Sequence, residues 1–488
     1  MDAHRGKSDA AADVVLFRPR FSDYSVTAFP LPWGVLSIAS SLRTAGLAVR
    51  IVDELALPDW AGPLKEALAG KPVFFGVSVM TGRQIQYGLR VSRFVKARSR
   101  APVVWGGIHP SVLPEQTLAD RSVDFVVTGE GEETAVELAR ALAGGRDGAG
   151  IAGLGFKRNG RPEVNGDRPF LDLDSLPETP FDLIDVERYV GTRFGARRSF
   201  ELCTSRGCPH NCAFCYSPVF SRRRWRTMSV GRILGRVRRL IDEFRIDGLT
   251  WREDDFFVDR ERVKAICEGL IREKLRIRWH ADCRVDYLDG CGEDFLELLK
   301  ESGCRALTLG VESGSDRILK RIGKGITREQ VLRVKDRLSR AGIVQNYHFM
   351  MGFPGETDDD LRLTVSLMDR LMRNNPFFGH INGPSLYTPY PGTGLFEESL
   401  RRGFEPPSRL EDWADMDWHA LRIPWLTGRK RRIVEDTAWN IMGIAQRGLR
   451  AYSLLKFRLL ARRNVHVPCF ERRLLPLAHR LRGGAYDR

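Results

Sequence analysis

The sequence predicts an α/β protein. It reads as an N-terminal doubly wound, flavodoxin- or Rossmann-like parallel sheet, then a partial (β/α)6 TIM-like barrel, then a small α-helical C-terminal region. Three observations carry this. Over residues 13–142, short apolar runs alternate five times with segments of helical period, the pattern of parallel strands joined by crossover helices. From residue 200 the alternation resumes with longer helices, through six strands. Residues 397–488 lose it and become basic. The divisions expected are 1–142, a linker at 143–199, a core at 200–396 and a C-terminal region at 397–488.

Length and composition agree. A chain of 488 residues has room for two or three domains. Hydrophobic content of 43% and mean hydropathy of −0.27 are those of an ordinary globular protein. No apolar run reaches the roughly 18 residues a membrane span needs. The N-terminus, Met1-Asp-Ala-His-Arg-Gly-Lys-Ser-Asp, has no apolar core and is not a signal peptide. The expected location is the cytoplasm.

Net charge is +15, from 77 Lys and Arg against 62 Asp and Glu. Residues 429–488 hold 15 basic and 4 acidic residues, a net of +11, so the other 428 residues carry about +4. The high isoelectric point describes the tail and does not itself make this a nucleic-acid enzyme. Nine cysteines, an odd number loosely spaced outside one loop, do not form a disulfide framework.

In the N-terminal part the candidate strands start at Asp13, Leu47, Val73, Pro102 and Val123. Helices are expected at about 33–45, 61–69, 83–98, 111–119 and 131–143. In such sheets, ligands lie outside the carboxyl ends of the strands. The segments there are rich in Gly and small residues: Leu31-Pro-Trp33-Gly34, Ser78-Val-Met-Thr81-Gly82, Gly106-Gly107-Ile-His109-Pro110 and Thr128-Gly129-Glu130-Gly131-Glu132. Glycine lets backbone approach a bulky ligand closely. In the linker, Asn159-Gly160 between two short extended runs signals a hairpin.

Core strands are expected at Ser199-Phe-Glu-Leu-Cys-Thr, Gly248-Leu-Thr-Trp-Arg, Arg276-Ile-Arg-Trp-His-Ala, Ala306-Leu-Thr-Leu-Gly-Val, Val344-Gln-Asn-Tyr-His-Phe-Met and His380-Ile-Asn-Gly-Pro-Ser-Leu. Function in barrels sits at the C-terminal ends of strands. The first is followed by Cys208-Pro-His-Asn-Cys212-Ala-Phe214-Cys215. Three thiols at Cys-x3-Cys-x2-Cys spacing converge from one loop. A [4Fe–4S] cluster normally takes four cysteines. No fourth stands close downstream, which leaves one iron for an exogenous ligand. Three structural cysteines, or a zinc site with His210, are the alternatives.

The three-cysteine loop, with Phe214 before its last Cys, resembles the signature of the radical S-adenosylmethionine (SAM) superfamily. Residues 13–142 resemble the cobalamin-binding domain that precedes many such cores. The strand-end motifs Glu253-Asp-Asp, Cys283-Arg-Val-Asp286, Gly310-Val-Glu-Ser-Gly-Ser315, Gly352-Phe-Pro-Gly-Glu-Thr357 and Tyr387-Thr-Pro-Tyr-Pro-Gly-Thr393 follow in order. Over residues 13–396 the chain resembles the cobalamin (B12)-binding radical SAM family, of the class B methyltransferase-like kind.

That resemblance implies a [4Fe–4S] cluster on Cys208, Cys212 and Cys215, with SAM and cobalamin as the other cofactors. It implies Phe214 and Tyr216 near the adenine, with Gly352 and Pro354 shaping its pocket. Glu312 and Ser313 would bond the ribose or methionyl part, and Arg284 the SAM carboxylate. The alternatives are a helix-capping Glu312 and an Arg284 paired with Asp286 or Asp255. The Gly-Gly-Glu stretch that holds the SAM amine in relatives is replaced by Arg252-Glu-Asp-Asp, which leaves Glu253 or Asp254 for that contact. Cobalamin would lie on Trp33, Gly34, Ser78, Thr81, Gly82, Gly106, Gly107, His109, Gly129, Glu130 and Gly131.

The Asp-x-His-x-x-Gly of many cobalamin domains is missing. Residues 19–34 hold no His, and Asp417-Trp-His419 lies in the wrong region. No imidazole from the first loop is expected below the cobalt. His109 beside Pro110 reads equally well as a turn residue.

The expected function is C-methylation of an unactivated carbon in a specialised metabolite or lipid, through a 5′-deoxyadenosyl radical and methylcobalamin. Oxidative cyclisation or ring rearrangement without methyl transfer is the alternative. Methylthiolation of RNA is disfavoured, because that family places three cysteines N-terminally and residues 1–202 have none. A cobalamin-binding sensor would have no use for the cysteine loop. Expected partners are a small-molecule substrate and an external electron donor of flavodoxin or ferredoxin type, with no nucleic acid. Arg222-Arg-Arg-Trp-Arg226 is an anion-binding run or a solvated one. Helices are expected over 430–463, where Leu454, Leu455, Leu459 and Leu460 among cations fit either a core-packed helix or peripheral membrane contact.

Overall fold

The computed structural model describes residues 12–21, 29–416, 423–445 and 449–463. Asp417, Trp418, His419, Cys469 and the tail beyond Arg463 lie outside these. The chain forms two compact units. One comprises residues 1–24, 28–189 and 407–420, and the other 25–27, 190–406 and 421–488.

The first unit is built on strands β1 (Val14–Arg18), β2 (Val49–Asp53), β3 (Phe74–Ser78), β4 (Val103–Gly106) and β5 (Phe125–Val127). Helices α1 (Trp33–Thr44), α2 (Ala61–Ala69), α3 (Gln84–Lys96), α4 (Ile108–Val112), α5 (Pro114–Ala119) and α6 (Glu132–Ala143) connect them. Neighbouring strands among the five pair in parallel. Their order, β2-β1-β3-β4-β5, is the flavodoxin-like doubly wound order, whose switch point lies between β1 and β3. The central strands are apolar throughout; every residue of β1 is buried, as expected for a parallel sheet covered on both faces.

Two antiparallel strands, β6 (Leu154–Arg158) and β7 (Arg161–Val164), extend the sheet past β5. Asn159 and Gly160 both take positive φ, 51° and 79°, the two-residue turn that the sequence signalled. Residues 143–189, read from sequence as linker, therefore supply sheet strands to this unit.

The second unit is built on one open sheet. After β8 (Gly191–Arg193) come β9 (Ala196–Leu202), β10 (Ser205–Arg206), α7 (Ser217–Ser221), β11 (Arg226–Thr227), α8 (Val230–Phe244), β12 (Gly248–Trp251) and α9 (Arg260–Arg272). Then follow β13 (Arg278–Arg284), α10 (Val285–Asp289), α11 (Glu293–Glu301), β14 (Cys304–Glu312), α12 (Asp316–Arg321), α13 (Arg328–Ala341), β15 (Val344–Met351), α14 (Asp358–Met372) and β16 (Phe378–Leu386). Six strands run parallel in sequence order, and β8 pairs antiparallel at one edge. This is the partial barrel expected. Capping boxes at Thr327–Gln330 and Thr357–Asp360 fix where α13 and α14 begin.

Side chains alternate across each strand. Leu202, Trp251, Trp279, Ala281, Leu307, Leu309 and Tyr347 are all buried and share one face. Glu201, Arg252, His280, Asp282, Arg284, Thr308 and Asn346 share the other. There Arg252 donates to Glu201, and His280 Nε2 and Thr308 Oγ1 are 2.6 Å apart. The inner face of the half-barrel is thus polar.

C-terminal helices α15 (Phe396–Arg401), α16 (Gly428–Ala445) and α17 (Arg450–Arg463) complete the second unit. Phe457 and Leu460 of α17 are buried, while Arg458 and Arg462 reach Asp369 of α14. Phe457 and Leu460 thus pack against the core, while Tyr452 and Leu455 stay exposed. No helix among the described residues is long and apolar enough to cross a membrane.

Candidate active site

The cysteine loop leaves the C-terminal end of β9, crosses β10 and ends at α7. It is pinned from several elements. Ala213 N–H donates to Ile322 O at 2.8 Å, and Leu395 N–H donates to Ala213 O at 2.9 Å. Gly207 N–H and Ser217 Oγ both donate to Asp254, at 3.1 and 3.3 Å. Asp254 so ties the start of the loop to its end.

Cys212 is buried, and Cys208 and Cys215 are half-buried. Burial pushes the Cys208 thiol up to about 12 and the Cys215 thiol to about 11. Both keep their protons unless a metal replaces them. Polar groups converge on the sulfurs. Arg284 Nη1 stands 3.5 Å from Cys212 Sγ, and Ser217 N–H donates to Cys215 Sγ at 3.4 Å. Cys208 Sγ lies 3.7 Å from Asp255, whose carboxyl burial raises to about 6. Among the described residues no three His, Cys, Asp or Glu side chains gather closely enough to hold a single metal ion. Three thiols with an arginine and a lysine beside them fit the larger [4Fe–4S] group and offset the negative charge of its thiolate shell.

The lysine is Lys324, which sequence reasoning missed. It is buried, with its Nζ 2.8 Å from Glu312 and 6.0 Å from the Phe214 ring centre. Burial alone would lower its pKa, but Glu312 and Cys212 outweigh that and raise it. It stays charged and holds Glu312 in place. The only signal in the sequence was a lone cation between two glycines, Gly323 and Gly325.

Other expected contacts separate into two groups. Phe214 packs on Phe353 at 5.9 Å, and Phe353 on Tyr387 at 5.5 Å. Glu356 accepts from Gly352 N–H at 2.6 Å and Phe353 N–H at 3.2 Å, shaping the Gly352–Pro354 turn. Tyr216 immediately precedes α7, its hydroxyl pKa raised by burial and by Asp254. Arg284 makes a two-pronged contact with Asp286 and also bonds Lys324 O. Glu312 has a φ of 69°, a strained conformation that marks functional sites. Phe214, Arg284, Glu312 and the Gly352 turn thus surround the cysteine loop.

The second group is spent on the scaffold. The Glu253 carboxylate is buried among Thr204 N–H, the Thr204 and Ser205 hydroxyls and Arg262. Ser313 is buried, its hydroxyl bonded to Thr364 and to Ser315 N–H. His210 joins Tyr287 at 2.6 Å, and Tyr287 donates to Asp255 at 3.0 Å. That network was not visible in sequence.

In the first unit, Trp33, Gly34, Ser78, Thr81, Gly82, Gly106, Gly107, His109, Gly129, Glu130 and Gly131 lie at or just beyond the carboxyl ends of β1, β3, β4 and β5. Gly107 has φ of 100°, and a Cβ there would stand 2.7 Å from Val79 O. Ser111 Oγ donates to Gly107 O and accepts from Gly129 N–H at 2.9 Å, tying two of the loops together. Met80 is exposed on the same edge. Trp33 Nε1 is buried without a partner among the described residues. A glycine-lined edge with an exposed apolar side chain and an orphaned donor fits a bulky cofactor such as cobalamin. His109 is sealed in: its Nδ1 lies 3.0 Å from Thr81, its ring meets Trp413 edge-on at 5.6 Å, and Nε2 has no partner among the described residues. Burial lowers its pKa to about 4, so the imidazole is neutral. Further polar anchors, missed in sequence, hold the strand ends. Arg18 pairs with Asp53, which also accepts from Tyr189.

Comparison with known proteins shows the family of the chain. The family model for the radical SAM superfamily matches residues 202–368, and that for the B12 binding domain matches residues 25–139. An uncharacterized methyltransferase of Pyrococcus horikoshii is 33% identical over 378 residues, 76% of this chain and 78% of that protein. The chain belongs to the cobalamin-binding radical SAM family. It is a radical SAM enzyme of methyltransferase-like type, whose cofactors are a [4Fe–4S] cluster, SAM and cobalamin. An anaerobic magnesium-protoporphyrin IX monomethyl ester cyclase of Rubrivivax gelatinosus is 28% identical over 304 residues, covering 60% of this chain and 52% of that one. The radical SAM methyltransferase TsrM from Kitasatospora setae, solved with cobalamin and a [4Fe–4S] cluster, shares the fold. Its TM-score is 0.70 at 18% identity, over 92% of this chain and 99% of that one.

Proposed function

We propose that this enzyme transfers a methyl group to an unactivated carbon of a small specialised metabolite or lipid. The observation that supports this most directly is one chain carrying both cofactor domains, with the three-thiol loop at the strand ends of the half-barrel. When bound, the cluster would supply the electron that cleaves SAM, and cobalamin would supply the methyl group. Cys208, Cys212 and Cys215 hold the cluster, with the Arg284 and Lys324 cations beside Cys212. Glu312, fixed by Lys324, takes the SAM ribose. Arg284 is placed for the SAM carboxylate. Of the two acids considered for the SAM amine, Asp254 is the better, because Glu253 is filled by its own scaffold. Phe214, Tyr216 and the Gly352–Pro354 turn flank the adenine. Trp33, Thr81, Gly107 and Gly129 line the cobalamin edge. An electron carrier of flavodoxin or ferredoxin type delivers the reducing electron.

An anaerobic assay with the substrate, SAM, reductant and methylcobalamin should yield 5′-deoxyadenosine together with S-adenosylhomocysteine and a methylated product. Turnover that gives deoxyadenosine and product without S-adenosylhomocysteine would reject methyl transfer. It would favour oxidative cyclisation or rearrangement, the reading that the likeness to the cyclase supports.

A further inference from the structure

The cysteine loop has an outer lip. Asn211 is exposed, and Pro209 and His210 are half-exposed. A cationic rim flanks it on both sides. On one side, the chain leaves α7 through Arg222 and Arg223, both left-handed at φ 51° and 59°, and then Arg224. All three are exposed. This turn is bound to the loop: Arg223 Nε donates to Pro209 O at 3.2 Å, and a Cβ on Gly207 would collide with the Arg224 carbonyl. On the other side, α12 ends in exposed Lys320 and Arg321 just before Ile322, whose carbonyl accepts from Ala213. Arg321 is answered by Glu398. Charges this close to a redox loop set the field an arriving partner meets.

We propose that this rim is the docking surface for an acidic, flavodoxin-type electron carrier. The inference rests on the radical SAM reading above. One electron leaves the reduced flavin and one is gained by the cluster, so no atom is exchanged. Transfer needs the flavin brought close to the cysteines, and the lip at Asn211 is where the loop meets solvent. Carriers of this class are acidic, so five cations around that lip steer them to it. Such complementarity acts mainly through association and weakens as salt rises.

The test uses the full chain with purified oxidised flavodoxin as probe. Binding is measured by calorimetry or surface plasmon resonance at low and physiological salt. The variant is Arg222→Glu, Arg224→Glu, Lys320→Glu; Arg223 is left in place because it holds Pro209. The control is Lys274→Glu, Arg276→Glu, an exposed cationic pair at the opposite end of the strands. The triple variant should bind flavodoxin roughly tenfold or more weakly, with a shallower salt dependence. The control should bind like the parent. Iron content and SAM cleavage driven by dithionite should be unchanged in both, while flavodoxin-driven cleavage falls only in the triple variant. Parental affinity in the triple variant, or equal weakening in the control, would overturn the proposal. So would a face that binds poly(U) and not flavodoxin. A parent that cleaves no SAM even with dithionite would instead refute the radical SAM reading, while the binding measurement still judges the rim.

Discussion

At the residue scale, burial sets the protonation state of side chains around the cysteine loop. Glu356 is the clearest case to test. Its carboxyl lies fully inside the protein, and burial raises its pKa from 4.5 to about 8, against the pull of the Gly352 and Phe353 N–H donors. Among the described residues its Oε1 has no partner, which suits a protonated acid. The folded state therefore binds this proton more tightly than the unfolded chain does. Stability from this group is full below the unfolded value and falls as pH rises toward about 8, levelling off above it. Glu356→Gln, which mimics the protonated form, should remove that loss. Measured by denaturant unfolding, the variant should match the parent near about pH 5 and exceed it at about pH 9, by on the order of a few kcal/mol. A constant difference across that range would show that Glu356 does not titrate there.

At the element scale, function sits where strands end and loops begin. The Cys208–Cys215 loop could be read directly from sequence because ligand spacing is a local property. The glycine-rich edge was legible as turns after strands, and Gly107 shows why glycine is needed there. At φ of 100° it packs against the Val79 backbone. Gly34, inside α1, has open space where a Cβ would stand, with no atom of the described residues within 4 Å. Gly107→Ala should cost about 2 kcal/mol or more and weaken methylcobalamin binding, because strain and a backbone collision add. Gly34→Ala should be neutral or slightly stabilising, since alanine is the better helix former. Thermal unfolding and a methylcobalamin titration distinguish them; equal behaviour would contradict the close approach at Gly107.

At the scale of the whole molecule, sequence distance misleads. The short segment Leu410–Asp415 belongs to the first unit, although it follows the barrel in the chain. Its Trp413 is buried, donates to Gln116 Oε1 at 2.6 Å and meets the His109 ring. It packs against α4 and α5 of the N-terminal unit. Trp413→Ala should destabilise that unit by about 3 kcal/mol or more through the cavity it leaves. It should also weaken cobalamin binding while leaving cluster content intact. Methylcobalamin titration together with iron analysis tests this, and unchanged cobalamin affinity would detach His109 and Trp413 from that site.

The sequence by itself determined the α/β order of the elements, the three-cysteine loop and the glycine-rich strand ends. These follow from local spacing and from periods of two and 3.6 residues, which neighbours in the chain carry. Only the tertiary structure decided which charges meet. It paired Lys324 with Glu312 and Arg284 with Asp286, filled Glu253 with hydroxyls, gave residues 154–164 to the first sheet, and seated Trp413 on His109. Such pairings join residues far apart in the chain, and they are set by burial: a charge or polar group removed from water must find a partner wherever the fold supplies one.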